Sequence, residues 1–227
     1  MRRAAKLVVD IETLAHPVES FDQERRTYLL KPAPSDTDPS DALHRLNLSP
    51  LTARIIAIAM VNPDSGRGRV LYEHPEGIAR HSDDGRTEFI PGTEEEILHG
   101  FWNSIARYPQ LITFNGRMFD GPFLMLRSAL LGIKPARNLV PYRFSTAEHC
   151  DLLDQLTLYG ATRKFSLDFY CKAFGISSPK GNGVTGLSLG TLVSEGRYRE
   201  IAEYCLADAL ATAELFRIWE KYLSFNR

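Results

Sequence analysis

The sequence predicts an α/β fold, a mixed sheet that begins as an antiparallel meander, continues with parallel strands and is flanked by helices. Short apolar runs at Leu7–Leu14, Arg54–Val61 and Arg69–Glu73 have the length and the β-branched content of strands. The turn N-P-D-S-G-R-G at 62–68 joins the last two runs as antiparallel neighbours. A capped helix, a further strand and more helices follow, and this order is typical of an α/β sheet.

The first strand, L-V-V-D-I-E-T-L, carries two acidic residues, Asp10 and Glu12. Because side chains alternate across a strand, both carboxylates are expected on one face and Ile11 on the other. Two like charges on a buried strand repel each other and lose solvation, and a divalent cation offsets both effects most directly. The alternative is the exposed end of an edge strand, where both acids are simply hydrated.

Residues 16–53 form a charged excursion that is rich in proline. It is predicted to be a long connection with a short helix at Asp41–Leu46, not a separate domain. Residues 1–227 are therefore predicted to form one domain, because no composition shift marks a second. After the third strand, the polar segment His74–Gly92 is predicted to be a loop.

A capping box opens the next helix, with Thr93 at its N-cap and Glu96 three residues later. The helix is predicted to run to about Arg107, and Leu111–Phe114 is predicted to be the fourth strand. The apolar positions of the helix recur at helical spacing and predict one buried stripe: Ile97, Leu98, Phe101, Trp102 and Ile105.

The fourth strand leads directly into F-N-G-R-M-F-D, and Phe119–Leu130 is predicted to be a helix with Asp120 in its first turn. An acid at that position could simply complement the helix dipole. Its place in the topology favours a function, because sites in open α/β sheets gather at the carboxyl ends of strands.

Two short helices are predicted between residues 151 and 175. The first is Asp151–Tyr159, in which Asp151 and Asp154 are interpreted as surface or capping acids and not as ligands. The second is capped by Ser166 and ends at Gly175.

The last helix, within Gly196–Leu223, is apolar nearly all round and is therefore predicted to be largely buried. Tyr204 and Asp208 are four residues apart and share one face of it. An acid in the middle of a buried helix needs a partner, and a metal ion shared with Asp10 and Glu12 is the best candidate.

Composition excludes several classes of protein. There are 27 basic and 28 acidic residues, so the chain has no overall positive charge that would indicate a nucleic-acid partner. A nuclease can nevertheless have this balance of charges. Three cysteines without CxxC spacing argue against disulfides and zinc and favour a reducing compartment. The basic start lacks the long apolar run of a signal peptide, and no segment is long enough to span a membrane. A cytoplasmic location without membrane association is expected, and oligomeric state is left open.

The ordered set D-x-E on a first strand, N-x-x-x-F-D after a later strand and Y-x-x-x-D on a late helix is specific. It resembles the DEDD superfamily of 3′–5′ exonucleases in its tyrosine (DEDDy) subclass. The closest resemblance is to bacterial predicted exonucleases related to the proofreading domain of B-family DNA polymerases. The histidine subclass has a histidine five residues before the last aspartate, and Glu203 stands there. The resemblance implies a ribonuclease-H-like fold.

The resemblance also implies roles for five residues. Asp10, Glu12 and Asp208 would bind a catalytic metal ion, and Asp10 would reach a second ion. Asp120 would hold this second ion through water, and Tyr204 would orient the attacking water. Two divalent cations can activate a water and stabilise the leaving oxygen, and oxygen ligands favour Mg²⁺ or Mn²⁺.

Substrate contacts are implied at further positions. Thr13 and Leu14 resemble residues that hold the terminal nucleotide, and Asn115 resembles a substrate-side residue. Arg163, Lys164 and Lys180 are candidates to grip phosphates, with solvated charge as the alternative.

The predicted function is therefore metal-dependent 3′–5′ hydrolysis of nucleic acid, with single-stranded DNA as the preferred substrate. Two alternatives stay open. One is an RNA-directed or structure-selective nuclease on the same fold, because the acidic residues do not distinguish DNA from RNA. The other is a nucleic-acid-binding module that no longer cleaves.

Overall fold

The computed structural model describes residues 5–32, 38, 41–177 and 188–225. Seven strands form one sheet in the order β4-β5-β3-β2-β1-β6-β7. The strands are β1 Lys6–Ala15, β2 Ala53–Val61, β3 Gly68–Glu73, β4 Arg80–His81, β5 Thr87–Gly92, β6 Gln110–Thr113 and β7 His149–Asp151. The predicted mixed α/β sheet with flanking helices is confirmed.

The α-helices of the described residues lie between and after these strands. They are α1 Gln23–Leu29, α2 Asp41–Leu46, α3 Glu94–Ile105, α4 Asp120–Leu130, α5 Leu152–Leu156, α6 Leu167–Ala173, α7 Leu189–Ser194 and α8 Tyr198–Tyr222. No helix among the described residues has the length and apolar content needed to traverse a lipid bilayer.

Strand β1 lies near the centre of the sheet. It pairs antiparallel with β2, which pairs antiparallel with β3, so the predicted meander is correct. On its other side, β1 pairs in parallel with β6, and β6 pairs in parallel with β7. β1 is therefore not an edge strand, although β6 pairs only with Lys6–Val8 and the acids Asp10 and Glu12 pair with β2 alone.

Two hydrophobic cores cover the two faces of the sheet. Val8 packs in the core on the α8 side, and Leu7, Val9 and Ile11 pack in the core on the side of α3 and α4. The alternation predicted for β1 is therefore observed. The predicted stripe of α3 is entirely buried, and both halves of its capping box are formed by Thr93 and Glu96.

The polar segment 74–92 is not only a loop, as the sequence predicts, because it contains β4 and β5. Thr87 and Phe89 of β5 are buried, and the strand pairs in parallel with β3. The alternation of polar and apolar residues in β5 is short and ends at Pro91, so its pairing with the neighbouring strands β3 and β4 is what makes it a strand. Helix α1 is a second difference, since it lies inside the proline-rich excursion and is capped by Asp22.

The helix predicted at Asp151–Tyr159 is also shorter than expected. Residues 149–151 form the buried strand β7, and the helix that follows ends at Leu156. The helix predicted between Ser166 and Gly175 is observed as α6. Ser166 caps it by accepting from the Phe169 N–H, and Gly175 takes the left-handed φ of +70° after its last turn.

Candidate active site

Three carboxylates converge where β1 meets α8. Carboxylate oxygens of Asp10, Glu12 and Asp208 all lie within 4.8 Å of one another. Asp10 and Glu12 share the face of β1 that is covered by α8, as the position of Val8 on the same face requires. Asp208 reaches them from the middle of α8, so acids nearly two hundred residues apart in the chain become neighbours.

Small residues allow α8 to approach β1 this closely. Ala202, Cys205 and Ala209 are fully buried at successive turns of the helix. The Cys205 thiol lies 3.6 Å from Asp10 Oδ2 and 3.5 Å from the Asp10 carbonyl oxygen, and it donates toward both. A bulkier side chain at these positions would push Asp208 away from the strand.

The environment makes ionisation of the strand carboxylates costly. Burial raises the pKa of Asp10 well above its ordinary value, and the charges of Asp120, Asp208 and Glu12 raise it further. Burial also raises the pKa of Glu12, followed by the charges of Asp208 and Asp120. The main causes of both shifts are burial and neighbouring acids, partly countered for Asp10 by the Cys205 hydrogen bond, so a bound positive charge would relieve both.

Asp120 is joined to this cluster through the backbone of β1. It is almost fully buried at the start of α4, and its carboxylate accepts from the Ile11 N–H, between the two acids of the strand. Burial raises the pKa of Asp120 to about 7. Asp120 is not part of the three-acid group within 4.8 Å, but its charge acts on Asp10 and Glu12.

Tyr204 lies one turn before Asp208, and its hydroxyl donates to the Asp208 carboxylate. The side chain is partly buried, and burial raises the pKa of the phenol, as do the charges of Asp208, Glu12 and Asp10. The phenol is therefore a neutral donor at neutral pH, held beside the carboxylates by its position on the helix.

A buried acid holds the loop between β6 and α4. The Asp151 carboxylate accepts from the N–H groups of Asn115 and Arg117, each at 2.9 Å, and also caps α5 by accepting from Leu153. Asn115 takes a left-handed φ of +65°, which asparagine tolerates better than most residues. The interpretation of Asp151 as a capping acid is correct, but the residue lies in the interior and fixes the loop that leads to Asp120.

The residues predicted to touch substrate have different surroundings. The Thr13 hydroxyl donates to the Asn47 carbonyl at 2.7 Å, so it ties β1 to the excursion. Leu14 is partly buried against the core on the α8 side. Asn115 is partly exposed in the loop that follows the carboxyl end of β6. Arg163 and Lys164 are exposed in the loop before α6, and Lys180 lies outside the described residues.

The donor set fits a hard divalent cation. Carboxylate oxygens of Asp10, Glu12 and Asp208 lie within 4.8 Å of one another, and neighbouring acids raise the pKa of both strand carboxylates. The nearby Cys205 thiol has a pKa raised by burial, which disfavours the thiolate that a zinc site needs. Oxygen ligands of this kind match Mg²⁺ or Mn²⁺.

Without divalent metal, the free energy of unfolding is expected to fall as pH rises from 6.5 to 8. Asp120 is protonated in the folded state up to a pKa of about 7 but ionises near 4 when unfolded. The folded protein therefore binds more protons, and stability that is complete below pH 4 is lost through pH 7. Urea unfolding in EDTA should show a loss of ~1 kcal/mol for this one group over that interval.

The measurement begins at pH 6.5 because buried His149 has the opposite effect on stability below that pH. Its pKa is lowered to about 4, so the free energy of unfolding rises with pH until histidine in the unfolded chain has also lost its proton. Asp120→Asn should make the curve less steep by this contribution, because Asp10 and Glu12, whose pKa values are also raised, remain in the variant. Saturating Mn²⁺ should invert it, because metal ions bind the ionised carboxylates. Equal slopes for the parent and Asp120→Asn would contradict the assignment.

Sequence reasoning missed two residues that shape the site, Asp151 as a loop anchor and Cys205 as the contact between α8 and Asp10. Asp151 gives almost no signal, because the residues before it, S-T-A-E-H-C at 145–150, are mostly polar and do not predict the strand β7. Cys205 gives none beyond being a small residue one turn from Asp208, since its role depends on a contact 195 residues away.

The sequence is similar to parts of archaeal DNA polymerases. It is 29% identical over 196 residues to DNA polymerase 1 of Aeropyrum pernix, a match that covers 78% of this chain and 19% of that protein. It is 27% identical over 177 residues to DNA polymerase 1 of Saccharolobus solfataricus, covering 71% and 19%. The chain thus spans about a fifth of the length of these relatives.

A solved structure supports the fold. The family B DNA polymerase from the hyperthermophilic archaeon Pyrobaculum calidifontis superposes with a TM-score of 0.59 at 19% identity, over 97% of this chain and 24% of that one. The described sheet and helices are therefore ribonuclease-H-like, as the sequence motifs imply.

The model of one protein family matches residues 48–223, a range that includes Asp120, Tyr204 and Asp208 and begins after the acids of β1. Its description is a predicted 3′–5′ exonuclease related to the exonuclease domain of PolB. This match covers more than half of the sequence. The chain belongs to this family of predicted 3′–5′ exonucleases.

Proposed function

We propose that the protein is a metal-dependent 3′–5′ exonuclease of the tyrosine subclass, acting on single-stranded DNA in preference to other nucleic acids. One observation carries this proposal. Asp10, Glu12 and Asp208 lie within 4.8 Å of one another, and the Tyr204 hydroxyl donates to Asp208 at the same place. The family and the polymerase relatives support nuclease chemistry on nucleic acid.

The acids have separate tasks in this proposal. Asp10, Glu12 and Asp208 would hold one divalent cation, Mg²⁺ or Mn²⁺, and Asp10 together with Asp120 would serve a second. The ions, when bound, stabilise the charge of the phosphate and ease deprotonation of water. Because all four carboxylates come from rigid strand or helix positions, their relative placement is fixed before substrate arrives.

The proposed reaction is hydrolysis of the last phosphodiester bond. The oxygen of a water molecule attacks phosphorus, and the bond from phosphorus to the leaving 3′ oxygen breaks. The products are a nucleoside 5′-monophosphate and a chain that is one nucleotide shorter and ends in a 3′ hydroxyl. Tyr204 orients the water through its hydroxyl oxygen, which accepts a hydrogen bond from the water while the O–H group donates to Asp208.

The protein is also proposed to work in the cytoplasm, and residues 1–227 are proposed to form one catalytic domain. The three cysteines are free and buried, which is consistent with a reducing compartment. The seven strands belong to one sheet, and α8 packs against its central strands, so the described elements support a single catalytic unit.

A cleavage assay tests the proposal. Single-stranded DNA, duplex DNA and RNA, each labelled at the 5′ end, are incubated with protein and Mg²⁺ or Mn²⁺. We expect a ladder that shortens one nucleotide at a time from the 3′ end, fastest on single-stranded DNA. Immediate release of the labelled 5′ nucleotide would contradict the polarity, and faster cleavage of RNA would reassign the substrate. Absence of turnover with either metal would indicate a binding module.

Salt dependence separates a polymeric substrate from a small one. Binding to single-stranded DNA in Ca²⁺, which supports binding with little turnover, should weaken with salt at a log–log slope of about −0.7 per phosphate contacted. Because the net charge of the chain is −1, overall charge cannot attract DNA, and a salt-dependent affinity would indicate a local basic surface. A slope near zero would indicate a nucleotide-sized substrate.

A further inference from the structure

A stack of planar groups protrudes beside α6. The rings of Phe165 and Phe169 are stacked, with centroids 4.3 Å apart and planes inclined by 10°. The guanidinium carbon of Arg163 lies 5.0 Å from the centroid of Phe165. One face of a ring accommodates only one of these groups, so Phe165 lies between Phe169 and Arg163. We call these three residues the aromatic ladder.

The ladder has an open end. Phe169 is 52% exposed although Phe165 covers one of its faces, so the opposite face is turned to solvent. An isolated exposed phenylalanine needs no explanation, but a stacked pair held by a cation presents a flat, preorganised apolar surface. Another planar group can extend this stack at little conformational cost.

The ladder borders the carboxylate cluster. Tyr170, which follows Phe169, contacts Phe114 with centroids 5.8 Å apart, and Phe114 immediately precedes Asn115. Cys171 is the next residue of α6, and its pKa is raised first by burial and then by the charge of Asp208. Helix α6 therefore runs from the ladder to the vicinity of Asp208.

The charge around the ladder is positive. Arg163 and Lys164 are both exposed, and among the described acidic residues none forms an ion pair with either. Asp168, the acid nearest in sequence, pairs with Lys172. An aromatic surface with unpaired cations beside it matches the bases and phosphates of an unpaired strand better than it matches an apolar protein partner.

We propose that the aromatic ladder is a stacking subsite for one unpaired base of single-stranded nucleic acid whose 3′ end lies at the carboxylate cluster. The base stacks on the open face of Phe169, and Lys164 neutralises an adjacent phosphate. This inference rests on the proposed function and extends it. A base inside a duplex has both faces covered by its neighbours, so the subsite selects single strands over duplex ends.

The test compares Phe169→Leu with Phe144→Leu. Both side chains are exposed phenylalanines, at 52% and 59%, but Phe144 contacts Tyr142 and Tyr159 and is not part of the ladder. Loss of one base–aromatic stack should raise the Kd for a single-stranded oligonucleotide in Ca²⁺ by roughly 5- to 100-fold for Phe169→Leu. Phe169→Trp should restore binding, and melting temperatures check that each variant is folded.

Abasic substitution identifies the base that stacks. Oligonucleotides with one abasic position, moved stepwise from the 3′ end, should bind the parent more weakly at one particular position. Phe169→Leu should show no further loss at that position, because the stacked partner is already missing. Equal binding by Phe169→Leu and the parent, an equal loss in Phe144→Leu, or additive losses at every position would overturn the proposal.

The binding assay keeps this proposal separate from the proposed function. A parent that binds with the expected position dependence but cleaves nothing would overturn the nuclease proposal and leave the subsite intact. A parent that cleaves from the 3′ end while Phe169→Leu binds equally well would overturn the subsite alone. A parent that does not bind single-stranded DNA would overturn both.

Discussion

Asp10→Asn is expected to lower the cleavage rate by ~10³-fold or more, since metal-ion stabilisation of a transition state is worth several kcal/mol. Asp10 lies next to Glu12 and Asp208 and is close enough to Asp120 for their charges to interact. Asparagine keeps the shape of the side chain but removes one negative charge, so the remaining acids hold a cation less tightly. Single-turnover cleavage of labelled DNA in Mg²⁺ and Mn²⁺ measures this effect.

The same variant should respond differently to metal in thermal unfolding. In the parent, Mn²⁺ at one hundred times its Kd should add about 2.7 kcal/mol of stability. In Asp10→Asn most of this gain should be absent, and in EDTA the variant should be as stable as the parent or more stable because a buried repulsion is relieved. This pattern separates loss of a ligand from loss of the fold.

Glu203→Gln is the matched control for this experiment. Glu203 is an acid on α8, next to Tyr204, but it is exposed and pairs with Arg199. Glu203→Gln should retain the cleavage activity of the parent and its stabilisation by Mn²⁺. If Asp10→Asn gains as much from Mn²⁺ as the parent does, the carboxylate cluster is not the metal site.

Tyr204→Phe is expected to lower kcat by about 10- to 10³-fold while changing stability by no more than ~1.5 kcal/mol. The ring and its packing remain, and the change removes only the hydroxyl that donates to Asp208. Orientation of the attacking water matters on the way to the transition state, so the loss should be concentrated in kcat and not in the affinity for DNA. Cleavage rates, affinity in Ca²⁺ and melting temperature are measured on one preparation.

Tyr198→Phe provides the comparison, because Tyr198 is the first residue of the same helix and its ring contacts His74, not the carboxylate cluster. Its cleavage rate should match that of the parent. If Tyr204 were only a packing residue, its phenylalanine variant would lose stability and activity together or neither of them. A cleavage rate equal to the parent's would remove Tyr204 from the mechanism.

Local features of the chain were determined by the sequence itself, because they depend on residues a few positions apart. The alternation of β1 sets Asp10 and Glu12 on one face, and the four-residue spacing of Tyr204 and Asp208 sets them on one side of α8. The capping box at Thr93 is of the same kind, since its hydrogen bonds close within three residues.

Tertiary structure decided the features that need a partner from elsewhere in the chain. Residues 87–92 are polar enough to read as a loop, and they form a strand because β3 supplies the parallel ladder and Phe89 is buried beneath it. Asp151 resembles an ordinary helix cap until its carboxylate is seen to hold the N–H groups of Asn115 and Arg117. The approach of Cys205 to Asp10 depends on how closely a helix of small residues can pack on the sheet, and no spacing in the sequence encodes that distance.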